Sequence, residues 1–219
     1  FYNENEVGFG KMLDLSCGKG AEIIRMSDFE NAEAFYDYIK EKGFGVVEEY
    51  LINHDKIREV YEPALNTMRM ITIIGDDNEP HLFFAAQKFG VNGRFIDVHG
   101  IHAPIDLETG IVHFPFHSGN TDTDLIYTKH PDTGYDLTNY EVPMFKEAKE
   151  MILRAAMKVP EMRYVGWDVA VTNKGPKIVE GNDYTAYDYM QLPYQNPSRI
   201  GVIPDILKLV PSFKDELYK

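Results

Sequence analysis

The chain has 219 residues, 44% hydrophobic and 13% aromatic, which suffices for a buried core in two lobes or small domains and excludes a disordered chain. A net charge of −13 without any Lys/Arg stripe excludes a nucleic-acid footprint, yet leaves room for a nucleotide, which needs only a few placed cations and a metal. The one cysteine, Cys17, excludes an internal disulfide and a cysteine-built zinc site, and no apolar run reaches the length of a membrane span.

In chain order, residues 8–14 and 20–25 predict two strands joined by the loop Ser16-Cys17-Gly18-Lys19-Gly20. Ser27 or Asp28 caps a predicted helix over 29–42, with Ala32, Phe35, Tyr36 and Ile39 on one face and Gly43 as its stop. A strand over 45–51 completes a β-β-α-β unit, the first lobe, residues 1–51. The second lobe, residues 52–219, opens with Asn53-His54-Asp55 leading a short helix to Tyr61. Strands over 67–74 and 81–88 flank the turn Asp76-Asp77-Asn78-Glu79. Residues 91–114 read as loops and short strands, and 115–141 as a long polar excursion without an assigned role. Pro143 opens a helix to Lys158, with Phe145, Ala148, Ile152 and Ala156 facing inward. A hairpin over 164–182, a Tyr-rich loop and a helical stretch over 204–218, interrupted at Pro211, close the chain. The class is α+β, a small lobe hinged to a larger one.

The hairpin holds the sharpest chemical signal. Asn173-Lys174-Gly175 is a turn between β-branched runs; with Lys174 as midpoint, Thr172 pairs with Pro176, Ala170 with Ile178 and Asp168 with Glu180. Opposed side chains lie about 4.5–5.5 Å apart at Cβ, and Asn182 shares the face of Glu180. Trp167, Val169, Val171, Ile178 and Val179 predict that the hairpin is covered on both faces. Two acids and an amide on a sheltered face require a counter-charge, and a hard oxygen-seeking cation such as Mg²⁺ suits them. The competing reading is a solvated polar face, and a one-residue bulge would break the assumed register.

Four other segments bear on a nucleotide. Lys11 lies on a strand ahead of the glycine turn Gly18-Lys19-Gly20, which reads either as a phosphate-covering flap or as a plain hairpin turn. Glu48-Glu49-Tyr50-Leu51 can present backbone groups to an adenine edge, with His54 or Asp55 meeting the ribose; the alternative is an edge strand with exposed acids. Arg69 shares a strand face with Thr67, Ile71 and Ile73, so its guanidinium wants a carboxylate or a phosphate. Lys88 and Arg94 are further cations of that kind, while Asp97, His99 and His102 read as a substrate-facing loop or as satisfied polar residues.

Taken in order, Lys11…Gly18-Lys19-Gly20, VVEEYLINH, NTMRMIT and YVGWDVAVTNKGPKIVEGN resemble the ATP-grasp superfamily, and within it the sugar-transfer-associated group related to α-L-glutamate ligases. The resemblance spans residues 8–205 and is strongest at Asn66-Thr67-x-Arg69 and Gly166-Trp167-Asp168…Glu180-Gly181-Asn182. It implies two lobes, each with an antiparallel sheet and helices, and ATP in the cleft between them. By resemblance, Lys11 and the Gly18–Gly20 loop meet the phosphates, and the Glu48–Leu51 segment, Glu49 included, frames the adenine. His54 or Asp55 meets the ribose, Asp168, Glu180 and Asn182 hold Mg²⁺, and Arg69, with Lys88 beside it as a catalytic candidate, stabilises the transferred phosphoryl group.

The activity implied is an ADP-forming carboxylate–amine ligase. It would activate a small-molecule carboxylate as an acyl phosphate for an amine or saccharide acceptor, in the modification of a cell-envelope or capsular polysaccharide. Phosphoryl transfer asks mainly for positioning and charge neutralisation, which such a set of residues provides. A non-catalytic ATP-binding module and a kinase-like phosphotransferase are the alternatives. The family's usual N-terminal domain is missing from this chain, and the opening residue, Phe1, predicts a segment upstream. No secretory leader is visible, so the expected location is the cytoplasm.

Overall fold

The computed structural model describes residues 1–13, 20–97, 99–119, 125–183, 185, 190–191 and 200–214. The chain divides into two compact units, Phe1–Ile52 and Asn53–Lys219.

In the first unit, β1 (Val7–Lys11), β2 (Glu22–Arg25) and β3 (Val46–Glu49) form an antiparallel sheet in the order β2-β1-β3. Alternation turns Ile24 and Val47 to one face, where they pack with Met26, Phe44 and Phe35 of α1 (Ala32–Lys42). Gly10 lies on that face, and a Cβ there would stand 2.8 Å from the Phe44 ring and 2.9 Å from Ile24 Cδ1, so the helix side closes down only on glycine. The expected cap is corrected. Asn31 Oδ1 accepts the backbone N–H of Glu33 and of Ala34, each at 3.0 Å, so α1 begins at Ala32, and Ser27 and Asp28 lie in a separate 3-10 turn. Gly43 ends the helix with φ +72, as expected from sequence. Phe35 and Ile39 face inward as expected, whereas Ala32 and Tyr36 are exposed and Tyr38 joins the cluster instead.

The second unit contains α2 (Asp55–Val60), β4 (Thr67–Ile74), β5 (Pro80–Phe89), β6 (Ile101–Pro104), β7 (Ile111–Val112), β8 (Phe116–Ser118), β9 (Ile126–Tyr127), β10 (Tyr140–Glu141), α3 (Phe145–Ala156), β11 (Tyr164–Thr172), β12 (Gly175–Asn182) and α4 (Ile203–Leu209). Among the described residues these strands give a seven-stranded antiparallel sheet, β12-β11-β4-β5-β6-β8-β9, and a β10-β7 pair. The register sorts its side chains. Met68, Met70, Ala85, Phe89, Ala103, Phe116, Val169 and Val171 form one core with Phe145, Ala148 and Ile152 of α3. The opposite alternation turns Thr67, Arg69, Lys88, His102, His117 and Asp168 to the other face.

Two expectations change here. Met144 has φ +53, so α3 starts at Phe145 rather than at Pro143, although its four expected inward residues are the buried ones. The stretch 115–141 is not merely an excursion, because β8 and β9 from it extend the large sheet. No helix among the described residues is long and apolar enough to cross a membrane.

Candidate functional site

The β11–β12 hairpin reaches the expected acid pair by an unexpected route. Its turn is shorter than read from the sequence, with Asn173-Lys174 alone between the paired Thr172 and Gly175. The partners of Val171, Ala170 and Val169 are therefore Pro176, Lys177 and Ile178, replacing the Thr172–Pro176 and Ala170–Ile178 pairs expected. A bulge between Asp168 and Val169 then leaves Val179 as the extra residue and restores Asp168 opposite Glu180, with Asn182 opposite Gly166. Asn182 Nδ2 donates to Glu180 Oε1 at 3.2 Å, so the amide and the acid share a face. The hairpin is not covered on both sides. β12 is the sheet edge, Glu180 is exposed and Ile178 is 37% exposed, because neighbouring strands shield β11 but only one flanks β12.

Asp168 is buried and meets two cations. Arg69 Nη2 stands 3.2 Å from its Oδ2, and Lys88 Nζ donates to its Oδ1 at 3.1 Å. Lys88 also lies 3.2 Å from Asp97 Oδ1. Thr67 fixes Asp97 through its backbone N–H and its hydroxyl, each donating to Oδ2 at 2.7 Å. Among the described residues, two carboxylates thus meet two cations inside the sheet face, which is how buried charge is tolerated. Beyond Lys88 the polar row continues, since His102 pairs with Lys88 across the ladder and His117 with His102. Burial, with the neighbouring His117 and Lys88, pushes the His102 imidazole down to about 4, so it is neutral at neutral pH.

The other sequence-predicted residues fall at several places. In the first unit, Lys11 pairs with Glu48 across the uncovered sheet face, so its ammonium meets a carboxylate rather than standing alone. Tyr50 N–H donates to Val7 O, and strand alternation then turns the backbone of Glu49, and of Leu51 beyond it, toward the open edge of β3. Gly20 takes φ +66, a turn conformation suited to glycine; Gly18 and Lys19 lie outside the described residues.

In the second unit, His54 caps α2 by accepting Lys56 N–H at its Nδ1 and donates its own backbone N–H to Val171 O at 2.7 Å. Asp55 is bound to the hairpin turn, its N–H donating to Asn173 Oδ1 at 3.2 Å and its Oδ1 accepting Asn173 Nδ2 at 3.1 Å. Both therefore sit beside the β11–β12 turn. Arg94 is an exposed loop residue. Asp97 is a satisfied polar residue, one of the two readings open from sequence, while His117 was passed over, because its partner His102 lies on another strand and no local pattern announces the pair.

A magnesium ion fits this donor set. Asp168, Glu180 and Asn182 supply oxygen donors on one face, and among the described residues no three His, Cys, Asp or Glu side chains group tightly enough to cage an ion unaided. Mg²⁺ is ordinarily held in that way, by one or two carboxylates, with water and phosphate oxygens completing the octahedron. Each Asp168 oxygen has a second lone pair beyond the one directed at Arg69 or Lys88.

Residues 18–200 match the family described as sugar-transfer associated ATP-grasp. Among solved structures, the chain is similar to the ATP-grasp ligase PsnB complexed with minimal precursor, Mg and ADP, at 15% identity and a TM-score of 0.43, covering 85% of this chain and 40% of that one. It is likewise similar to PsnB complexed with precursor peptide PsnA2 and AMPPNP, at 15% identity and a TM-score of 0.44, covering 85% and 41%. The chain thus spans about two-fifths of the length of those ligase chains. A search of curated proteins finds no match. With most of its length matched to one sequence family and an α+β architecture of antiparallel sheets, the chain belongs to the sugar-transfer associated ATP-grasp family.

Proposed function

We propose that this chain is the catalytic part of an ATP- and Mg²⁺-dependent ligase that activates a carboxylate as an acyl phosphate for attack by an amine or a saccharide nucleophile. The observation that carries this reading is the Asp168–Glu180 pair, with Asn182 on its face and Arg69 and Lys88 converging on Asp168. Oxygen donors suited to magnesium stand beside two cations suited to phosphate, and no covalent nucleophile is needed for phosphoryl transfer. Magnesium bound there would neutralise charge on the transferred phosphoryl group.

Each unit has its share of the work in this reading. Residues 1–51 form the small lobe, in which the segment Gly18-Lys19-Gly20 and Lys11 serve the phosphates and the edge at Glu49 and Leu51 serves the adenine. Residues 52–219 form the large lobe, with the metal ligands Asp168, Glu180 and Asn182. His54 or Asp55 orients the ribose, Arg69 grips the phosphoryl oxygens, and Lys88 offsets the charge that builds up beside them. The family's description as sugar-transfer associated supports a saccharide acceptor, which in this reading belongs to a cell-envelope or capsular polysaccharide, and the need for ATP supports a cytoplasmic location.

ADP release and hydroxylamine trapping of the acyl phosphate, measured over a panel of carboxylic acids, test the reading. Turnover is expected with a subset of acids and is expected to fall at least about a hundredfold in Glu180→Gln and Asp168→Asn. Normal turnover in either variant overturns the metal assignment. ATP binding without turnover on any acid would mark a nucleotide-binding module, and ADP with a stable phosphorylated product would mark a kinase-like transferase.

A further inference from the structure

The two carboxylates that share Lys88 are held differently. Asp97, Lys88 and Asp168 have side chains at most one-tenth exposed, and the Lys88 ammonium lies 3.2 Å from Asp97 Oδ1 and 3.1 Å from Asp168 Oδ1. Thr67 anchors Asp97 on its other oxygen, through N–H and hydroxyl, both at 2.7 Å. Asp168 has its second oxygen on Arg69 and stands opposite Glu180 at the sheet's edge hairpin. One acid is thus fixed as a seat for the ammonium, while the other lies between that ammonium and the face with the Glu180 and Asn182 oxygens. An Asp168 that shares its charge with a metal holds Lys88 less strongly, and a buried ammonium needs a full counter-charge.

We propose that Asp97 is a positioning residue that retains the Lys88 ammonium when Asp168 turns to Mg²⁺, so that the ammonium does not compete with the metal. This rests on the metal assignment above. Without the negative charge of Asp97, Lys88 leans more strongly on Asp168, and metal binding has to weaken that pair. Asp97→Asn is the direct probe, because asparagine retains the shape and an acceptor for Thr67 while removing the charge. Thr67→Val is the second probe; it keeps every charge, suits a strand, and loosens the Asp97 seat by one hydrogen bond.

The experiment measures AMPPNP affinity by calorimetry across a Mg²⁺ titration, with Mn²⁺ electron paramagnetic resonance to count the bound ion directly. In Asp97→Asn the metal concentration needed for half-maximal enhancement of nucleotide binding is expected to rise about tenfold, and in Thr67→Val about two- to threefold. Metal-free nucleotide affinity is expected to stay at the wild-type value in both, an outcome that general damage to the site would not give. If Asp97→Asn fails to fold, Thr67→Val decides the matter. Folded variants with wild-type metal dependence, or with nucleotide affinity lowered equally with and without metal, overturn the proposal. A wild-type chain that shows no metal-linked nucleotide binding sinks the metal assignment itself, a different result from indifference of the variants.

Discussion

Each unit places a lysine–carboxylate pair on a sheet face, and the two pairs live in different media. Lys11 and Glu48, on the first unit's uncovered face, are 29% and 39% exposed at the side chain. Lys88, Asp97 and Asp168 are 9%, 7% and 10% exposed, with Arg69 at 19% as the second cation on Asp168. Water and salt screen the first pair, whereas the second must satisfy itself inside the protein. The lesson is that the same ammonium–carboxylate pairing supplies an exchangeable surface contact in one place and a structural obligation in the other.

The sharpest way to break that contrast is Lys88→Met, which takes the ammonium from buried Asp97 and leaves Asp168 with Arg69. Its stability in urea denaturation is expected to drop by about 3–5 kcal/mol. A loss under about 1 kcal/mol would mean that the cluster is in effect solvated.

Acid titration probes the same face at its far end. The His102 imidazole ionises near 6.5 when unfolded and at about 4 when folded, so the unfolded chain takes up its proton first as pH falls. The contribution of the neutral ring is complete above pH 6.5 and is lost on descent through that window to below pH 4, on the order of 3 kcal/mol in all. His117 and Lys88 are the ionisable groups that set this shift besides burial. Denaturation of wild type and of His102→Gln from pH 7 to pH 4 should therefore diverge, with the variant the flatter; parallel curves would show that the ring is open to water.

The smallest effect belongs to the exposed pair. A double-mutant cycle with Lys11→Met and Glu48→Gln should give a coupling below about 1 kcal/mol that vanishes in 1 M NaCl. A larger, salt-resistant coupling would place Lys11 in the same class as Lys88.

Much of this was readable along the chain because it is local. The stop of α1 at Gly43, the inward stripe of α3 and the long strands β4, β5 and β11 follow from glycine chemistry and from hydrophobic period. The cap of α1 was misread because Ser27, Asp28 and Asn31 all suit the role, and Asn31 alone has helical N–H groups within reach of its side chain. The Asp168–Glu180 pair was anticipated through a register that the hairpin does not keep: a turn one residue shorter and a bulge one residue longer cancel. A one-residue slip alone would turn Glu180 to the other face, and the second slip turns it back although the intervening partners change.

Residue types and spacing by themselves determined that this chain folds as α+β, that it matches an ATP-grasp family, and that two acids and an amide share one strand face. Tertiary structure alone decided which cations meet them, which acid seats Lys88, and that the hairpin lies at an exposed edge rather than within a covered sheet. Side-chain period and turn chemistry act within a few residues and are written locally. Lys88 and Asp168 are 80 residues apart in sequence and Thr67 and Asp97 are 30 apart, so the fold alone brings them together.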